Sequence, residues 1–131
     1  MPASIIKIKS LVKLFNQAAH PSLDGIDLEI FEGEKFGFFG PNGAGKTTII
    51  SILCNIIHPS SGSVIYFLDD KELSVREILP YIGFVPQDFA FYPELTPVQN
   101  LRYFGSLYDV PKKELDGKIE TLLSTLGLDH V

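Results

Sequence analysis

The chain has 131 residues, of which 45% are hydrophobic and 21% charged, and its net charge is −5. This size and composition are typical of one folded domain or part of one, and they exclude a disordered tail. No apolar run approaches the ~20 residues of a membrane-spanning helix, the single cysteine excludes an internal disulfide, and the acidic balance argues against a surface that coats nucleic acid.

The N-terminal third predicts antiparallel strands. Residues 5–8 and 11–15 are short and carry β-branched or alternating apolar side chains. A turn over residues 16–22 precedes residues 26–30, whose alternation of apolar and acidic side chains is typical of a half-exposed strand. Residues 35–39 are apolar and rich in phenylalanine, which predicts a buried strand of a parallel sheet.

Residues 40–47 read Gly-Pro-Asn-Gly-Ala-Gly-Lys-Thr and fit the pattern G-x-x-x-x-G-K-[ST]. A helix that starts near Lys46 is predicted to follow, because residues 48–57 place apolar side chains at helical spacing until His58-Pro59 ends the pattern. A strand, a glycine-rich turn and a helix N-terminus in this order predict a phosphate-binding loop. The alternative is a glycine-rich capping turn that binds nothing.

The chemistry of a nucleoside triphosphate explains why these residue types occur together. Glycines at 40, 43 and 45 allow backbone N–H groups to approach anionic oxygens, and the helix N-terminus adds its unpaired donors and positive dipole. Lys46 would bridge the β- and γ-phosphates, and the Thr47 hydroxyl would bind Mg²⁺. The predicted nucleotide contacts in this segment are Gly40, Pro41, Asn42, Gly43, Ala44, Gly45, Lys46, Thr47 and Thr48.

The middle of the chain predicts a loop, a hairpin and a short helix. Residues 59–62 form the loop and residues 63–68 a strand, with Asp69-Asp70-Lys71 at a hairpin tip. A capping box in its first turn marks a short helix over residues 74–79. Residues 81–85 predict a second buried strand.

The last forty residues predict mainly helices. An aromatic loop is predicted over residues 89–95. Thr96 after it is a typical N-cap residue, and a helix is predicted over residues 97–108. A further helix opens at residues 109–111 and runs to about Leu126, where a glycine ends it.

Several of these segments together resemble the nucleotide-binding domain of an ATP-binding cassette (ABC) transporter. The segments are the phosphate loop and residues 23–30, 32–34, 59–62 and 82–87, which occur in the order of the family. The resemblance implies an α/β P-loop NTPase fold: an ABC-type ATP-binding core with an N-terminal antiparallel β subdomain, followed by the start of an α-helical subdomain. The corresponding domains are residues 1–88 and 89–131, and the cofactors are ATP and Mg²⁺.

The resemblance also assigns roles to individual residues. Phe15 would stack on adenine, although a phenylalanine in the core is an equal alternative. Gln87 matches the glutamine of the Q-loop, which reaches Mg²⁺ and the attacking water; the alternative is a polar residue at a strand end. Lys46 and Gln87 are therefore the candidate catalytic residues, and Thr47 and Gln87 the candidate metal ligands.

The same resemblance implies partners. The loop over residues 88–95 would face transmembrane transporter subunits, and a second nucleotide-binding domain would pair head to tail with the first. Residues 91–101 and 104–108 look closest to the exporter branch of the family. The implied location is cytoplasmic, peripheral on the inner face of the cell membrane, with no nucleic-acid partner.

Three family motifs do not occur in the 131 residues: the Leu-Ser-Gly-Gly-Gln signature, an apolar strand that ends in Asp-Glu, and a switch histidine. We therefore expect a truncated domain that binds ATP without efficient hydrolysis, because in the family the Asp-Glu pair at the end of that strand contains the catalytic base. Two alternatives to an exporter ATPase stay open. One is an ABC ATPase that acts away from membranes, and the other is a nucleotide-binding interaction module without turnover.

Overall fold

The computed structural model describes residues 2–128 of the chain. Its elements are the strands β1 (Ser4–Lys13), β2 (Leu23–Phe31), β3 (Ser61–Leu68) and β4 (Lys71–Leu73), the helices α1 (Lys46–Leu53), α2 (Val75–Ile78), α3 (Pro97–Ser106) and α4 (Lys112–Thr125), and a 3-10 turn over Leu79–Tyr81. The chain forms two compact units, and the second begins at Val85. Within residues 2–128, no helix combines the length and the apolar character needed to cross a membrane.

The first unit is built on one antiparallel sheet in the order β2-β1-β3-β4. Residues 5–8 and 11–15 were predicted as two strands, and this prediction is wrong because β1 is continuous. Its register shifts between Ile8 and Leu11, and Ser10 takes a φ of 45°. The Ser10 N–H donates to the Asp27 carboxylate at 2.8 Å, so the irregularity is satisfied locally and the strand continues.

Helix α1 packs against this sheet through a small apolar core. The buried side chains are Ile8, Leu11, Leu23, Ile49 and Ile52. Two strands and one helix thus share the same core, which places the N-terminus of α1 beside the start of β2.

Helix α1 is shorter than predicted, because it ends at Leu53 and not near residue 57. Asn55 adopts a left-handed φ of 55°, and the Ile56 N–H turns back to the Ser51 carbonyl at 2.8 Å. Asparagine is among the few non-glycine residues that accept this conformation after a helix.

Tyr66 of β3 connects the sheet to the last residue of α1. Its hydroxyl donates to the Leu53 carbonyl at 2.7 Å. Burial of the side chain, with a smaller contribution from Cys54, raises the pKa of Tyr66 to about 12.

The two buried parallel strands predicted at residues 35–39 and 81–85 are not present as strands. Residues 35–39 and 82–85 belong to no regular element, Tyr81 ends the 3-10 turn, and neither segment pairs with a strand within residues 2–128. Phe39 is 96% exposed and Val85 is 92% exposed. Apolar composition marks a segment suited to the centre of a sheet, whereas strand formation also requires hydrogen-bonding neighbours on the flanking edges.

The predicted hairpin and short capped helix between residues 69 and 79 are both present, although Lys71 already belongs to β4 and α2 ends at Ile78. Asp69 and Asp70 form the two-residue hairpin tip with φ values of 50° and 59°, and β3 and β4 pair on either side of it. Aspartate tolerates the left-handed region, so the turn forms without glycine. Ser74 and Glu77 form the capping box of α2, and the Ser74 N–H donates to the Glu77 carboxylate at 2.8 Å.

The second unit contains α3 and α4. Thr96 caps α3 as predicted: its hydroxyl accepts the Gln99 N–H at 3.2 Å, and the Gln99 side chain accepts the Thr96 N–H at 2.9 Å. Helix α3 ends at Ser106, two residues earlier than predicted. Helix α4 ends before Gly127, which has a φ of 68° as its predicted stop requires. The last three residues of the predicted helical region, 129–131, lie outside the described residues.

Asn100 organises the loop before α3 from within the helix. The side chain is 9% exposed, and its amide nitrogen donates to the carbonyls of Tyr92, Leu95 and Thr96 at 2.9, 3.0 and 3.2 Å. Its amide oxygen accepts the Tyr92 N–H at 2.8 Å. One buried amide therefore fixes the backbone from Tyr92 to Thr96.

We expect Asn100→Asp to lower the free energy of unfolding of the second unit by about 2–4 kcal/mol, because a carboxylate cannot donate to the carbonyls and would be buried against them. Urea unfolding followed by far-ultraviolet circular dichroism measures the change. Asn16→Asp is the matched control, because it makes the same chemical change at an exposed residue outside this hydrogen-bond network. Equal effects of the two variants would contradict the role of Asn100.

Candidate nucleotide-binding site

The glycine-rich segment at residues 40–45 leads directly into α1, in the order that the sequence predicted. Gly45 is the N-cap of α1, with a left-handed φ of 83°, and it is buried. A Cβ atom at this position would lie 2.5 Å from the Ser22 carbonyl oxygen and 2.8 Å from Leu23 Cδ2. Glycine is therefore required both by the backbone conformation and by the close approach of the chain that enters β2.

Several backbone N–H groups at the N-terminus of α1 have no acceptor within the described part of the chain. The first helical hydrogen bond runs from the Ile49 N–H to the Gly45 carbonyl at 2.9 Å, and the Ala44 N–H donates to the Pro41 carbonyl at 3.3 Å. In the loop and the first turn of α1, the N–H groups that make no hydrogen bond within residues 2–128 include those of Gly43, Gly45, Lys46, Thr47 and Thr48. The first turn of α1 carries no acidic side chain, so these donors and the helix dipole favour an anion.

Lys46 adds a full positive charge at the same place. Its ammonium group donates to the carbonyl oxygens of Gly40 at 2.6 Å and Pro41 at 2.7 Å, so the side chain lies across the loop. Among residues 2–128 it forms no ion pair with a carboxylate. The protein supplies only neutral acceptors, and the charge is available to a phosphate.

The two threonines that follow differ in their surroundings. Thr47 is exposed, and its hydroxyl makes no hydrogen bond to the described residues. The Thr48 hydroxyl lies 3.0 Å from the Ser22 hydroxyl, and both are partly buried. Ser22 was not predicted as a site residue, because in the sequence it looks like one more polar residue of a turn.

The donor set fits a magnesium ion that arrives with a nucleotide. No group of three or more His, Cys, Asp or Glu side chains that could hold a metal occurs within residues 2–128. Mg²⁺ keeps several waters and takes few protein oxygens when phosphate supplies the rest. The exposed hydroxyl of Thr47, beside the unpaired donors, provides one such oxygen.

Phe15 lies in the loop between β1 and β2, on the same unit as the phosphate loop. Its ring is 44% exposed. The Lys13 ammonium is 5.1 Å from the ring centroid and donates to the His58 carbonyl at 2.6 Å. The alternative of a core phenylalanine is wrong, because nearly half of the side chain is accessible; a role in stacking stays a prediction.

Gln87 and the loop after it belong to the second unit. Gln87 is exposed, on a bend that follows an extended segment. Phe89 and Phe91 contact each other with ring centroids 5.2 Å apart, and the Tyr92 ring stacks on Phe104 at 6.1 Å. The loop presents an exposed aromatic surface, and the roles assigned to it and to Gln87 stay predictions.

Comparison with known proteins identifies relatives of one kind. A family model described as ABC transporter matches residues 23–131. The chain is 35% identical over 123 residues to ATP-binding cassette sub-family A member 7 of Rattus norvegicus, an alignment that covers 94% of this chain and 6% of that protein. It is 32% identical over 128 residues to the probable multidrug ABC transporter ATP-binding protein YbhF of Escherichia coli, covering 98% of this chain and 22% of that protein.

Solved structures give the same result for the fold. The cbiO1 protein of Clostridium perfringens, part of an ABC transporter complex, superposes with a TM-score of 0.80 at 24% identity, covering 98% of this chain and 52% of that one. An ATP-binding cassette solved as a dimer in a post-hydrolysis state with ADP and Pi has a TM-score of 0.71 at 26% identity, covering 92% and 56%. The chain thus spans about half of these structures, and a smaller share of the two relatives above.

Proposed function

Since this chain belongs to the ABC transporter family, we propose that it is the ATP-binding part of a transporter subunit and holds Mg·ATP with residues 40–48. The observation that carries the proposal is the set of unpaired N–H groups around the buried Gly45, next to a lysine whose charge no described carboxylate neutralises. Such a set stabilises several anionic oxygens at once, as a triphosphate requires.

Each part of the proposed site would contact a different part of Mg·ATP or of the attacking water. The loop amides would bind the phosphate oxygens, and the Lys46 ammonium would move from its two carbonyl acceptors to the β- and γ-phosphates. Thr47 would hold Mg²⁺, which supplies charge neutralisation when bound. Gln87 would orient a water without accepting its proton, since an amide is neutral.

We expect Lys46→Ala to weaken Mg·ATP binding by roughly ten- to a hundredfold, because a charge-assisted contact to phosphate contributes about 1.5–3 kcal/mol. Isothermal titration measures the dissociation constant. Lys9→Ala is the control: Lys9 is exposed on β1 and its loss changes the net charge equally. Equal affinities of the wild type and Lys46→Ala would refute the phosphate-loop assignment.

Phe15 is proposed as the stacking surface for the base. Because Lys13 lies near its ring, a base would use the exposed remainder of the aromatic face. Stacking reads only the π-face, so ATP and GTP are expected to bind with affinities that differ by less than about a hundredfold. Competition titration tests this, and a larger preference would indicate a polar pocket for the base edge.

The second unit is proposed to contact the membrane-embedded partner. We assign residues 1–88 to the ATP-binding core and 89–131 to the helical subdomain, with the loop at 88–95 facing transmembrane subunits on the inner face of the cell membrane. Its exposed aromatic side chains support this, because such patches mark interaction surfaces. A second copy of the whole subunit would complete the ATPase head to tail.

Export is proposed as the direction of transport. The resemblance of residues 91–101 and 104–108 to exporters supports it. One relative, 34% identical over 132 residues, is named a glucose import ATP-binding protein, from Saccharolobus solfataricus, and its name supports the opposite direction. Identifying the membrane protein that co-purifies with the full subunit would decide: an exporter-type partner supports the proposal and an importer-type partner contradicts it.

A further inference from the structure

Two hydroxyl groups from distant parts of the chain meet beside the phosphate loop. Ser22 Oγ and Thr48 Oγ1 are 3.0 Å apart, and either can be the donor. Ser22 directly precedes β2, and Thr48 lies in the first turn of α1, among the residues whose N–H groups have no partner within residues 2–128.

The Thr48 hydroxyl is bonded differently from the two threonines of α4. In α4, Thr121 donates to the Gly117 carbonyl at 3.0 Å and Thr125 donates to the Thr121 carbonyl at 2.8 Å. This bond to the preceding turn is the usual arrangement for a threonine in a helix. Thr48 is the third residue of α1, so no turn of that helix precedes it, and its hydroxyl pairs with Ser22 instead.

The backbone holds Ser22 firmly in this position. Its N–H donates to the Lys13 carbonyl at 2.7 Å, which closes the loop between β1 and β2. Its carbonyl lies so close to Gly45 that no side chain fits there. These two backbone contacts therefore hold Ser22 in place, with its hydroxyl beside Thr48.

We propose that Ser22 is a positioning residue that orients the Thr48 hydroxyl toward a phosphate oxygen. A hydroxyl has one proton and two lone pairs. When Ser22 donates to Thr48 Oγ1, the Thr48 proton is free to donate to an anion at the helix N-terminus. This inference rests on the proposed function of residues 40–48, and it adds a residue from outside the phosphate loop.

A double-mutant cycle with Mg·ATP as the probe tests the coupling. Ser22→Ala is expected to weaken binding by roughly two- to tenfold, as the loss of one neutral hydrogen bond predicts. In a Thr48→Val background, Ser22→Ala is expected to have no further effect, because its partner is gone. Ser22→Thr keeps the hydroxyl and is expected to restore affinity. Ser63→Ala, at an exposed serine of β3, is the control and is expected to bind as the wild type does.

The outcomes separate this inference from the proposed function. If the wild type binds Mg·ATP in a Lys46-dependent way but Ser22→Ala leaves affinity unchanged, only the role of Ser22 is overturned. Additive losses in the cycle, or a Ser22→Thr variant as weak as Ser22→Ala, would also overturn it, since both indicate a structural effect that does not pass through Thr48. Absence of Lys46-dependent binding would overturn both proposals.

Discussion

Gly45→Ala is expected to lower the free energy of unfolding of the first unit by about 2–5 kcal/mol, and to abolish measurable Mg·ATP binding at concentrations that saturate the wild type. Two physical effects add. A left-handed φ of 83° is unfavourable for alanine, and the new Cβ would lie 2.5 Å from the Ser22 carbonyl oxygen. Since that oxygen belongs to the backbone, either the phosphate loop or the start of β2 has to move.

Two other glycines separate these effects. Gly25 and Gly43 also have positive φ values, of 69° and 86°, but a Cβ at either position meets nothing within 4 Å. Gly25→Ala and Gly43→Ala are therefore expected to cost only the conformational part, about 1–2 kcal/mol. Chemical denaturation of the three variants measures the difference. If Gly45→Ala is no less stable than Gly25→Ala, the close contact with Ser22 does not constrain the loop.

Features that depend on a few consecutive residues could be predicted from the sequence. The capping boxes that begin at Ser74 and Thr96 each join residues three positions apart, and the glycine-rich loop sets the start of α1 in the same local way. Their hydrogen bonds are closed within one turn, so the residue types in that turn are sufficient. The family resemblance, which rests on motifs of this kind, was confirmed by the match over residues 23–131.

Features that depend on distant partners could not be predicted. Residues 35–39 and 81–85 have the composition of buried strands, but pairing is a property of neighbours that the segment itself does not encode. Ser22 and Thr48 are 26 positions apart, and neither residue type predicts their contact. The burial of Asn100 and its three carbonyl partners likewise follow only from the fold.

The purified 131-residue chain is expected to bind Mg·ATP but to release phosphate no faster than its Lys46→Ala variant. In the proposed function, the γ-phosphate is positioned by residues 40–48, which comprise the glycine-rich loop and the first residues of α1. Activation of the attacking water requires a general base, and losing such a base alone costs about 10²–10⁴-fold in rate. Gln87 cannot act as one, because an amide does not take up a proton at neutral pH.

Phosphate release under single-turnover conditions is the measurement, with Lys46→Ala as the background. The remaining acids near Gln87 in the sequence are Asp88 and Glu94, both exposed in the second unit. Release that depends on Lys46 would contradict the prediction. Loss of that activity in Asp88→Asn or in Glu94→Gln would then identify which carboxylate supplies the base.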